Sequence, residues 1–148
     1  MYNDVNKADV FGGVIMKDDA VVKNVAQTFY DSIATQYDKF YLDWDDAVRE
    51  EALFLDQLFK ARGFDKSAGV LDCACGIGTQ AIGLAALGYD VAASDISIGE
   101  IDEAKKRAVE KGVDDKFKQA DFRALEDAYS EAFDIIIATP WAGIPWAR

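Results

Sequence analysis

The sequence contains no histidine, and that absence removes a histidine general base, a Ser-His triad and a histidine-ligated metal centre. Cysteine is scarce as well. Cys73 and Cys75 fall short of the roughly four ligands of a zinc site, and their spacing at a strand end predicts two small packing residues facing the same side. No metal is expected. No apolar run reaches the ~18 to 20 residues of a membrane span. The N-terminus also lacks a basic stretch followed by an apolar core, so neither a membrane anchor nor an export signal is expected. Positive charge is in short supply: 16 Lys and Arg against 27 Asp and Glu leave a net −11, which argues against nucleic acid and anionic membranes as partners. Small molecules, in a cytoplasmic setting, remain. The 148 residues, 51% hydrophobic, suffice for one ordinary core.

What is present is organised around residues 70–95, VLDCACGIGTQAIGLAALGYDVAASD. It reads as an apolar strand, a glycine turn, a helix and a second strand ending in an acid. Asp72 sits near the end of the first strand. Gly76 and Gly78 lie in the turn, where absent side chains let backbone N–H groups approach a ligand. The helix predicted from Thr79 to Leu87 is stopped by Gly88, and the strand Val91 to Ser94 ends at Asp95, 23 residues after Asp72. A carboxylate there can accept both hydroxyls of a ribose.

Two cofactor classes use this geometry. Gly76, Gly78 and Ala81 satisfy the dinucleotide pattern G-x-G-x-x-G/A, which leaves an NAD(P)-binding oxidoreductase as one alternative. Asp72 points the other way, because an inward carboxylate would repel a pyrophosphate. S-adenosylmethionine carries a cationic sulfur and an ammonium and no phosphate, and for it the same carboxylate is an attraction.

At these residues the chain resembles a known family. DCACGIGT is similar to motif I of class I S-adenosylmethionine-dependent methyltransferases, with Ala74 where the commoner form has its first glycine. The longer string LDCACGIGTQAIGLAALGYDV resembles the glycine/sarcosine N-methyltransferase-like branch. The resemblance covers roughly residues 28–138. It implies an α/β, Rossmann-like doubly wound parallel sheet preceded by an N-terminal helical cap. It implies a methionine end held by Asp72 and by the turn residues Ala74, Gly76, Gly78 and Thr79, and a ribose held by Asp95 with Ile96 beside it. S-adenosyl-L-methionine is the implied cofactor, a small amine the implied methyl acceptor. A catalytically inactive binding module is a further alternative, and no residue is singled out as catalytic.

Taken in order, residues 1–24 show no sustained periodicity and read as a leader outside the fold, disordered or appended. Residues 25–63 read as the helical cap. Within it FYDSIATQYDKFYLDWD resembles the cap of the same branch and nominates Tyr37 and Trp44 as cofactor or substrate contacts. Val48, Ala52, Leu55, Leu58 and Phe59 form one apolar stripe of a helix ending near Arg62 and Gly63. Arg49 on that helix is an ordinary face charge by its acidic neighbours, whereas the resemblance implies a grip on the cofactor's carboxylate.

Residues 64–138 read as the cofactor-binding half-domain. Ser97 and Glu100 form an S-x-x-E capping box opening a helix that ends near Gly112, with Ile101, Ala104 and Ala108 buried. A short strand, Phe117 to Ala120, places Asp121 and Phe122 at its tip, where the resemblance implies contacts with the adenine. Phe133 to Ala138 is a continuous apolar run suited to a strand buried on both faces. Residues 139–148, TPWAGIPWAR, depart from the family and read as an atypical tail. The family's seven-stranded sheet is thus represented by four strands in the order three-two-one-four. The second half, with the acceptor site, is expected to be missing. The fourth strand would then be an open edge, giving a chain that self-associates or melts non-cooperatively.

Overall fold

The structure is a computed structural model that describes residues 9–11, 14–16, 27–28, 31–32, 34–35, 43–114 and 116–139. Asp9–Phe11 (β1) and Val14–Met16 (β2), within the stretch read as a leader, pair antiparallel with each other. Tyr37 and the tail 140–148 lie outside the described residues.

The helix α1 (Trp44–Ala61) begins at Asp43, whose carboxylate accepts the N–H of Asp46 at 3.0 Å, with Asp45 and Asp46 in the positive first turn. Val48, Ala52, Leu55 and Phe59 recur every three to four residues and face the core. Leu58, expected on that stripe, is 40% exposed, and Asp56 takes the buried place. Position 56 lies one turn after Ala52, on the inward face, and its carboxylate is fully satisfied there. It accepts from Lys60 Nζ at 2.8 Å, Lys66 Nζ at 2.6 Å and Tyr89 Oη at 2.9 Å. Those contacts, Lys60 first, hold its pKa well below the usual carboxylate range.

Four parallel strands make the main sheet: Gly69–Asp72 (β3), Asp90–Asp95 (β4), Phe117–Gln119 (β5) and Ile135–Ile137 (β6), in the order β5-β4-β3-β6. This is the expected Rossmann-like α/β arrangement. Between the strands lie α2 (Thr79–Ala86) and α3 (Ile98–Lys111), the latter closed by Gly112 at φ 67°. Close approach of α1 and α2 depends on Gly83, where a Cβ would stand 2.5 Å from the Val48 carbonyl oxygen and 2.7 Å from Ala52 Cβ.

One face of the sheet, with Val70, Val91, Ala93 and Ile137, packs against all three helices through Phe59, Ile82, Leu84, Ile101 and Ala104. The opposite face, with Leu71 and Ala92, is covered by Tyr129 and by Leu125, which lies in the 3-10 segment Phe122–Asp127. Tyr129 meets Phe133 edge to face at 5.4 Å. Cys73 belongs to this second cluster and Cys75 to the first, so they do not share a side as their spacing suggested. β3 ends at Asp72, and the alternation of a strand no longer governs the turn that follows.

β6 also departs from expectation: Ile136 is 58% exposed rather than buried on both faces. No described element lies over it. None of the described helices is long and apolar enough to cross a membrane.

Candidate functional site

β4 and β6 leave β3 in opposite directions, so the turn after β3 opens at the point where the strand order reverses, the place where open α/β sheets bind ligands. Asp72 ends β3 there. It is fully buried. Its Oδ1 accepts only a long contact from Ala74 N at 3.4 Å, and its Oδ2 has no partner among the described residues. Burial pushes its pKa up to about 7, with the negative charges of Asp95 and Glu51 adding to the rise.

The turn is a closed backbone structure. Gly76, at φ 53°, donates its N–H to Asp95 Oδ2 at 2.9 Å. Cys75 N donates to the Ser94 carbonyl at 3.0 Å, and Gly78 N to the Cys75 carbonyl at 2.8 Å. Three N–H groups of the turn are therefore engaged within the protein, while α2 starts at Gly78 with no side-chain cap, so what weighs against a pyrophosphate here is the acids around the turn. Gly78, at φ 89°, is glycine for packing as well, because a Cβ would meet Ile82 Cδ1 at 3.0 Å and Phe117 Cε1 at 3.2 Å.

Around this turn the charge is of one sign. Asp95 accepts Gly76 N through one oxygen and Ser97 N, at 3.0 Å, through the other, and burial raises its pKa. Glu100, 2% exposed, approaches the turn at Gly76, and burial raises its pKa to about 8. Glu51 of α1, bonded by Gln80 Nε2 at 2.7 Å, is raised to about 7 by burial. Asp31 accepts the hydroxyl of Ser97 and the N–H of Gly99 at 2.9 Å. Among the described residues none of Asp31, Glu51, Asp72, Asp95 and Glu100 has a cationic partner; buried acids in that position are costly, and a positively charged ligand relieves the cost. The residues thus fit a cationic, ribose-bearing cofactor better than a diphosphate.

The remaining candidates occupy varied positions. Ala74 and Ile96 are half-buried at the strand ends, and Gln119 Nε2 donates to the Ile96 carbonyl at 2.9 Å. Trp44 reaches Thr79: its indole Nε1 donates to Thr79 Oγ1 at 3.2 Å, while the Arg107 guanidinium stacks 4.5 Å from the ring. It joins the starts of α1 and α2 to the side of α3. Arg49 is exposed and pairs with Asp46 at 2.8 Å. Asp121 caps the 3-10 segment by accepting Arg123 N at 3.0 Å and pairs with the Arg123 guanidinium at 2.8 Å, whereas Phe122 is 57% exposed beside it. Sequence reasoning missed Asp31 and Glu51 as members of the acid group and assigned Glu100 to a cap. Only the excess of acids in the composition hinted at such a group.

A methyltransferase-domain family model matches residues 70–146, just over half of the chain. The chain belongs to that family, whose members use S-adenosylmethionine. A comparison with curated proteins gives no match. Similar solved structures include magnesium protoporphyrin IX methyltransferase from Synechocystis PCC 6803 with bound SAM, at 22% identity over 78% of this chain and 60% of that one, TM-score 0.61. Another is an S-adenosylmethionine-dependent methyltransferase from Clostridium acetobutylicum, at 23% identity over 74% and 43%, TM-score 0.57. A third is coclaurine N-methyltransferase bound to N-methylheliamine and SAH, at 22% identity over 60% and 26%, TM-score 0.50. At these identities the likeness is one of fold, and the chain spans less than two thirds of each relative.

Proposed function

We propose that this chain is the cofactor-binding part of an S-adenosylmethionine-dependent methyltransferase that acts on a small amine, as in the glycine/sarcosine N-methyltransferase-like branch. The observation that carries the reading is Asp72, a fully buried carboxyl at the strand-order reversal, among other acids, with one oxygen that has no partner among the described residues. Bound S-adenosylmethionine supplies a methyl group on a good leaving group, so little acid-base help is needed.

The chain's own residues bind and orient. Asp72, with Glu51 behind it, attracts the cationic methionine end beside Ala74, Gly76, Gly78 and Thr79. Asp95, with Ile96, accepts the ribose hydroxyls through the lone pairs its backbone contacts leave free. Phe122 covers the adenine and Asp121 accepts from its amino group, exchanging part of its contact with Arg123. Arg49 exchanges Asp46 for the cofactor's carboxylate, and Tyr37 and Trp44 are taken as contacts of the cofactor or substrate. Such positioning is worth ~7 to 11 kcal/mol in a displacement reaction.

In this reading residues 25–63 are the cap and 64–138 the cofactor half, flanked by the leader 1–24 and the tail 139–148. The setting is cytoplasmic. The partners are a small methyl acceptor and, through the open edge of β6, a second copy of the chain. Calorimetry of the full chain with S-adenosylhomocysteine and with NADH tests the cofactor, and binding of NADH alone would reverse the assignment. Methyl transfer to a panel of glycine, sarcosine and other small amines tests the acceptor. Cofactor binding with no transfer to any of them would leave a binding module.

A further inference from the structure

The S-x-x-E sequence at 97–100 predicts a reciprocal cap, and the structure forms only half of it. Glu100 N donates to Ser97 Oγ at 3.1 Å, as a capping box requires. The returning bond, from Ser97 N to the glutamate carboxyl, is absent because Ser97 N donates to Asp95 Oδ1 at 3.0 Å. Asp31 takes the outer role at the same helix start, accepting Gly99 N. The Glu100 carboxyl is thereby released from capping and turned inward. It is 98% buried by its 2% exposure, Oε1 has no partner among the described residues, and Oε2 lies 3.5 Å from where a side chain on Gly76 would begin. With no side chain on Gly76, nothing from that residue stands between the carboxyl and the turn.

We propose that Glu100 is a further cofactor-binding residue, its buried carboxyl contacting the ribose across Gly76 from Asp95 and donating a hydrogen bond to it. This rests on the cofactor reading above. A ribose diol offers both donors and acceptors. Both oxygens of Asp95 already accept a backbone N–H, from Gly76 and from Ser97, which sets that carboxyl in an accepting role. A protonated glutamate supplies the missing donor. The groups facing Glu100 keep it protonated: Asp95 at the end of β4 and Asp31 from the N-terminal segment are both acidic, and Cys75 in the turn is a buried thiol. Burial is the largest contribution.

The test is the pH dependence of S-adenosylhomocysteine affinity in the full chain, measured by calorimetry for the unsubstituted protein, Glu100→Gln and Glu100→Leu. The unsubstituted protein should lose affinity as pH rises through about 8, where the donor ionises. Glu100→Gln, neutral at every pH and still a donor, should bind within about twofold at pH 6.5 and lose the alkaline fall. Glu100→Leu should bind roughly tenfold more weakly, the loss of one hydrogen bond. If Glu100→Leu does not fold, Glu100→Gln decides alone. The same alkaline fall in Glu100→Gln as in the unsubstituted chain overturns this inference and leaves the cofactor assignment standing. Absence of binding by the unsubstituted chain at any pH overturns both.

Discussion

The backbone N–H of Gly76 donates to Asp95 Oδ2 at 2.9 Å, tying the turn after β3 to the tip of β4 across 19 residues. The bond fixes the methionine and ribose sides of the proposed site relative to each other. It also removes one backbone donor from the turn and sets a carboxylate beside it.

Stability should depend on pH in an unusual direction. Asp72, Glu51 and Glu100 have folded pKa values raised from 3.8, 4.5 and 4.5 to about 7, 7 and 8. The unfolded chain gives up these protons earlier, so the folded state loses stability as pH rises from about 4 and the slope ends above about 8. Asp56, lowered by its lysines, acts oppositely and loses its contribution as pH falls below about 4. Thermal melts across pH 4 to 9 should therefore show higher stability near pH 5 than near pH 8. Asp72→Asn should flatten the fall and gain on the order of 2 kcal/mol at pH 8.

Gly83→Ala should destabilise the fold by ~1 to 3 kcal/mol through overpacking, because its Cβ would meet the Val48 carbonyl oxygen and Ala52 Cβ, neither of which is a flexible chain end. Denaturant unfolding measures it. An unchanged midpoint would mean that α1 and α2 are not in this close contact.

Phe122→Ala should leave the melting temperature nearly unchanged, since the ring is 57% exposed. It should weaken S-adenosylhomocysteine by roughly tenfold, the worth of one aromatic stacking partner. Equal affinity in titration would remove Phe122 from the adenine site.

Ile136→Lys should shift the chain toward monomer in sedimentation. Ile136 is 58% exposed on β6, an edge strand among the described residues, and lysine is a common guard of such edges. A chain that is strictly monomeric before substitution would contradict pairing through β6.

The fold was legible where local chemistry was strong. Val70 with Asp95 marked two strands, Gly88 and Gly112 the helix ends, and Ser97 a helix start that the structure forms. Non-local features were not. Nothing local singles out Asp56, whose partners Lys66 and Tyr89 lie 10 and 33 residues away. Glu100 reads as a cap because the sequence cannot show Asp95 taking the Ser97 N–H first. Asp31 sits 68 residues from Gly99, beyond any spacing pattern. In each case tertiary contact reassigned a side chain whose local neighbours suggested a simpler use.

The central claim is that the acids around the turn await a cation. Titrating S-adenosylhomocysteine, with its ammonium, into the full chain at pH 7 in buffers of different ionisation enthalpy measures it most directly. Asp72 has a pKa of about 7 before binding, so the account predicts a net release of protons to the buffer as the ammonium docks. Binding with no proton exchange, or with uptake, would contradict it.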